Sequence, residues 1–70
     1  MNASISITVN GERREVPSGL SVAALLAHLG LPPDRVAIEQ NLEILPRARW
    51  QETSVQSGDR FEIVQFVGGG

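Results

Sequence analysis

Seventy residues, a net charge of −2 and 41% hydrophobic content describe one small globular domain, neither a disordered chain nor a polyanion. The six positive side chains are scattered arginines with no run to meet phosphates, and the absence of cysteine excludes disulfides, thiolate metal sites and thiol catalysis. The N-terminus lacks the pattern of a signal peptide and no run approaches the roughly 20 apolar residues of a membrane span, so the expectation is a soluble cytoplasmic domain.

Ile5, Ile7 and Val9 alternate with Ser4, Ser6 and Thr8, the period of two that predicts a β-strand with one buried face. Asn10-Gly11 tolerates positive φ at both positions and predicts a tight hairpin. The returning arm, about residues 12–17, has one apolar residue, Val16, and ends in Pro17, which suits an edge or an exit. Ser21 is placed to cap a helix over residues 22–29, where Val22, Leu25, Leu26 and Leu29 form one apolar stripe. Gly30 ends that helix in the left-handed conformation and Pro32-Pro33 prevents its resumption. Two turns are too short to be stable alone, so the helix must pack on a sheet.

Residues 36–40, VAIEQ, predict a third strand with Val36 and Ile38 pointing one way. Asn41-Leu42 turns the chain into a short segment, Glu43-Ile44-Leu45, stopped by Pro46. Residues 46–54 read as irregular and hold the only tryptophan, Ser57-Gly58-Asp59 reads as a turn, and residues 60–67 read as the last strand. A hairpin, a helical crossover and a last strand beside the first make the β-grasp arrangement. The expectation is therefore an α+β domain over residues 1–67, a mixed sheet of four to five strands with one main helix across it, followed by a flexible glycine tail at 68–70. Ile5, Ile7, Leu25 or Leu26, Leu29, Ile38, Phe61 and Ile63 are the expected core.

Little in the body of the chain points to chemistry. His28 is the only histidine, has no companion ligand at metal-site spacing, and reads as a partly exposed helix residue. Ser18 and Ser21 lack a base and fit turn and cap roles, and the eight acidic residues show no convergent pair. Neither a metal site nor a catalytic centre of its own is expected. Gly68-Gly69-Gly70 differs. Three extended glycines reach about 10 Å, and without Cβ atoms they can thread a narrow tunnel and present a carboxylate inside another protein. A free carboxylate is inert to nucleophiles. Transfer to AMP makes an anhydride that sulfur can attack, leaving a thiocarboxylate. The chain has no lysine amine to intercept such an acyl group, although an arginine-favouring genome explains the same composition.

Residues 36–50, VAIEQNLEILPRARW, and 58–70, GDRFEIVQFVGGG, resemble the thiamine-pathway sulfur carrier family (ThiS). Ile44-Leu45-Pro46-Arg47, Trp50 and Gly58-Asp59 sit as that family places them, and the hairpin, the capped helix and the length agree. Leu42 departs from the pattern, since the family often has glycine after the asparagine, which bears on the turn and not on the tail. The resemblance implies a ubiquitin-like protein co-substrate, not an enzyme, with no cofactor of its own. A ubiquitin-activating-type adenylyltransferase would use ATP and Mg²⁺ to adenylate Gly70, with Gly68 and Gly69 recognised as the thread. A cysteine desulfurase or sulfurtransferase would supply sulfur for the thiocarboxylate, and thiazole synthase would accept it. The free protein would be a monomer that binds neither nucleic acid nor membrane.

The last strand adds a docking expectation. Glu62, Val64 and Phe66 fall on one face, and Phe61, Ile63, Gln65 and Val67 on the other. A solvated face should be polar, so Val64 and Phe66, with Glu62, read as an apolar patch beside the tail that both main partners use in turn. Two other readings share these residues. One is the small subunit of molybdopterin synthase, whose chains tend to be longer and carry prolines where this chain has Gln65-Phe66. The other is a non-catalytic ubiquitin-like interaction module whose tail is incidental.

Overall fold

The computed structural model describes residues 3–66. Asn10 and Gly11 take φ of 51° and 83°, so both turn positions are left-handed and close a two-residue hairpin. It joins β1 (Ser4–Val9) antiparallel to β2 (Glu12–Pro17). Pro17 is tolerated because β2 is an edge strand, where a missing N–H breaks no ladder. In α1 (Val22–Leu29) the Ser21 hydroxyl accepts from the Ala24 amide at 3.1 Å, and Gly30, at φ 75°, donates its N–H to the Ala27 carbonyl.

A 3₁₀ turn, Pro33–Arg35, leads into β3 (Val36–Gln40), which pairs antiparallel with β4 (Glu43–Leu45). The segment expected to be irregular contains a second 3₁₀ turn, Arg47–Arg49. β5 (Arg60–Gln65) then enters the middle of the sheet, parallel to β1 and antiparallel to β3 along its full length from Gln40–Phe61 to Val36–Gln65. The strand order β2-β1-β5-β3-β4 with one main helix is the mixed β-grasp sheet that the order of elements predicts.

Strand alternation turns Ile7, Val9, Val16, Val36, Ile38, Phe61 and Ile63 toward Val22, Leu25 and Leu26 of α1, and Trp50 and Val55 close the core from the loop. Two residues expected to be buried, Ile5 and Leu29, are only partly buried at the margin of this cluster. The reason is length: an eight-residue helix covers about 12 Å, whereas a six-residue strand runs about 20 Å, so element ends project past the covered area. The last strand stops at Gln65, short of the expected 67. Phe66 lies beyond it, though its amide still donates to the Arg35 carbonyl at 2.7 Å. Val67 and the expected tail at 68–70 lie outside the described residues.

The turn at 41–42 keeps hairpin geometry without glycine. Asn41 and Leu42 have φ of 53° and 71°. Asn41 is held there by its amide on the Arg60 carbonyl (2.7 Å) and by its side-chain oxygen, which accepts from the Arg60 amide (2.9 Å). Leu42 must follow, at a steric cost of about 1–2 kcal/mol for a residue with a Cβ, and its side chain is 69% exposed and packs on no core.

Two outcomes follow for stability. Leu25→Ala should cost about 2–5 kcal/mol in urea unfolding, and Leu29→Ala clearly less. Leu42→Gly should raise stability by about 0.5–1 kcal/mol, the relieved strain less the extra entropy of an unfolded glycine, read as a higher midpoint at unchanged slope.

Candidate functional site

The face of the sheet turned away from α1 has two halves. Toward β2 it is polar, with Arg13 Nε donating to the Ser6 hydroxyl at 2.8 Å. Toward β4 it is apolar: Ala37 stands directly opposite Val64, and Glu39 stands opposite both Ile44 and Glu62. Ile44 and Val64 are 79% and 61% exposed. With Ala37 and Ile38 they line a shallow depression, with Glu39 and Glu62 also on its walls. Two like charges directly across a sheet weaken it slightly, so local stability does not account for the Glu39–Glu62 pair. Glu62 is partly relieved by Arg60 at 3.8 Å.

Of the expected docking residues, Val64 and Glu62 therefore share one site. Phe66 is exposed like Val64, while Glu62 is half-buried, but Phe66 follows β5 and does not line the depression. Gly68, Gly69 and Gly70 lie outside the described residues. Ile44 was not anticipated. Its signal was present, because Ile44 and Leu45 are neighbours in a three-residue strand and cannot both face inward. Leu45 packs against the core, so Ile44 points out.

The residues that carry the family resemblance do structural work in the described region. Asp59, buried at 7% exposure, accepts from the Gln56 amide (2.8 Å), Gln40 Nε2 (3.0 Å) and Asn41 Nδ2 (3.1 Å), so its carboxylate is satisfied inside the fold. Trp50 is buried with its indole N–H on the Leu45 carbonyl at 3.0 Å. The Arg47 guanidinium lies 4.7 Å from the centroid of that ring. His28 is exposed in the last turn of α1. Among the described residues no cluster of three or more His, Cys, Asp or Glu is placed to hold a metal, and no helix is long and apolar enough to cross a membrane. Among the described residues, what the outward face presents toward β4 is a shallow apolar depression edged by two carboxylates.

Residues 7–70 match the ThiS family. A protein of Paramagnetospirillum magneticum named thiazole synthase is 42% identical over 66 residues, 94% of this chain and 20% of that protein. The sulfur carrier protein ThiS of Escherichia coli is 30% identical over 66 residues, 94% of this chain and 100% of that one. The crystal structure of the thiamine biosynthesis protein ThiS from Geobacter metallireducens superposes with a TM-score of 0.80 at 37% identity, covering 94% of this chain and 100% of that one. The chain thus spans about one fifth of its thiazole synthase relative and the whole of the two smaller ones. By a match that covers nearly all of its length, the chain belongs to the ThiS family.

Proposed function

We propose that this chain is a sulfur carrier for the thiazole of thiamine, a protein co-substrate acted on by enzymes, with the carboxylate of Gly70 as its carrier group. The observation that carries this reading is the family match, which runs through Gly68-Gly69-Gly70 to residue 70. In the first step the Gly70 carboxylate attacks the α-phosphorus of ATP on an adenylyltransferase, with Mg²⁺ on the phosphates, and pyrophosphate leaves. The outer sulfur of a persulfide on a cysteine desulfurase or sulfurtransferase then attacks the acyl carbon, AMP leaves, and an acyl disulfide joins Gly70 to that enzyme. A second thiol on the enzyme side attacks the enzyme's sulfur of this disulfide, is itself oxidised to a disulfide with it, and releases the thiocarboxylate for thiazole synthase to use. A stretch similar to this chain lies within the protein named thiazole synthase in Paramagnetospirillum magneticum, which supports that last pairing. Such a carrier works in the cytoplasm, where ATP is made available, and as a monomer when free.

The tail cannot supply the binding energy. Ordering three glycines costs about 1–2 kcal/mol each, at the high end for glycine, and brings no side-chain contacts in return. A surface of the folded domain must offset this. The depression of Ala37, Ile44 and Val64, with Glu62 and the nearby Phe66, is the docking face in this reading. Its two opposed carboxylates, Glu39 and Glu62, fit partners that bring an apolar surface edged by cations.

Incubation with ATP, Mg²⁺, the adenylyltransferase and sulfide should raise the intact mass by the exchange of one oxygen for sulfur, located on Gly70. An unchanged mass with a competent enzyme overturns the reading. Deleting Gly70, or adding one residue after it, should abolish transfer while shifting stability by less than about 0.5 kcal/mol. An untrimmed, extended protein that still carries sulfur would rule out the terminal carboxylate. Val64→Asp combined with Phe66→Asp should leave a folded protein that binds both the adenylyltransferase and thiazole synthase at least about tenfold more weakly, or 1.4 kcal/mol. Calorimetric titration against each partner measures this, and unchanged affinity for both removes the docking face.

A further inference from the structure

Four residues before Gly70, the Phe66 amide donates to the carbonyl of Arg35. Among the described residues this is the most C-terminal backbone hydrogen bond, so the position of the Arg35 carbonyl sets where the chain leaves the sheet. Arg35 ends the short 3₁₀ turn Pro33–Arg35, which buries no side chain and whose one internal bond runs from the Arg35 amide to the Pro32 carbonyl at 3.1 Å. The fixed points of this turn are the buried Val36 that follows it and Arg47, whose Nη1 donates to the Pro33 carbonyl and Nη2, at a long 3.5 Å, to the Val36 carbonyl, so that one planar guanidinium brackets Arg35 on both sides. The guanidinium is itself anchored over the ring of Trp50, which is 4% exposed and tied by its indole N–H to Leu45. A series of contacts therefore runs from the core through Trp50 and Arg47 to the Pro33 and Val36 carbonyls, on either side of the Arg35 carbonyl that receives the Phe66 amide.

We propose that Arg47 is a positioning residue for the carrier tail, fixing the Arg35 carbonyl and with it the point, at Phe66, from which the chain leaves β5. Residues 67–70 all follow Phe66 in sequence, so the point at which the chain leaves β5 is the point from which Gly70 must reach a partner's active site. A misplacement of about 1 Å at a reacting centre is already costly. Glycines have no side chains to correct the aim. Lysine keeps the charge but has neither the fork that spans two carbonyls nor the plane that stacks on indole. The consequence for transfer rests on the carrier reading above; the clamp itself does not.

The test compares Arg47→Ala and Arg47→Lys in the full chain with Val16→Ala, a buried substitution in β2, far from the tail, that controls for lost stability. Amide hydrogen exchange read by NMR should speed up by about tenfold or more at Phe66 in Arg47→Ala, while Ile63 changes no more than in the control. In adenylation, followed as ATP–pyrophosphate exchange, kcat should fall about tenfold with KM held within about twofold, Arg47→Lys should fall between, and Val16→Ala should match the parent. Equal loss of protection at Phe66 and Ile63 overturns the clamp. A freed Phe66 amide with undiminished kcat overturns the steering. A parent protein that is never adenylated counts against the carrier reading instead, and the exchange data then decide on Arg47 alone.

Discussion

The whole fold hangs on the insertion of β5 between β1 and β3. Until that strand arrives, the molecule is two separate hairpins, β1–β2 and β3–β4, joined by a helix too short to persist alone. β5 joins them with a parallel ladder on one side and an antiparallel one on the other, and sets the fully buried Phe61 beneath Leu25 and Leu26. Because the last strand is central, the sequence leading to Gly70 leaves from the middle of the sheet. The outward face of β5 is thereby flanked by neighbours, which is what gathers Val64, Ala37 and Ile44 into one depression.

The insertion leaves loose ends that polar side chains tie off. β1 pairs with β5 only as far as Phe61, and beyond that the Asn10 side chain takes the place of a strand, accepting from the Ile63 amide at 2.7 Å and donating to its carbonyl at 3.1 Å. At the entry to β5, Asp59 gathers the turn before it and the Asn41 turn beside it onto one carboxylate. Near its exit, Arg47 grips the turn that receives Phe66. Residues that read as a family signature thus locate both ends of β5, and with them the depression on its outward face.

The two faces of the one sheet differ in what they hold. The covered face is nearly all branched aliphatic and aromatic, and it tolerates no polar atom without a partner: among the described residues no buried side-chain nitrogen or oxygen is left unbonded. The open face holds features that weaken the isolated domain a little, namely the opposed Glu39 and Glu62 and two exposed β-branched residues. Leu42, strained and exposed in the turn before β4, belongs with them. Such local costs concentrate where a surface is shaped for something other than its own folding.

Local signals in the sequence carried the elements themselves. Asn10-Gly11, the Ser21 cap, Gly30 and the period-two runs at 4–9 and 36–40 act over a few residues, through backbone sterics and single hydrogen bonds, and each element appears where those signals place it. Val64 could be seen as exposed for the same reason, since alternation within one strand is local. What tertiary structure decided were the pairings between distant segments. Only the register of β3 against β4 and β5 brings Ile44 and Val64 into one depression across β3, only the length mismatch between helix and strand uncovers Ile5 and Leu29, and only loop closure buries Trp50 and turns Arg47 from a charged loop residue into a clamp 19 residues before Phe66. These depend on contacts made after the chain has folded back on itself, and no short-range rule in the sequence encodes them.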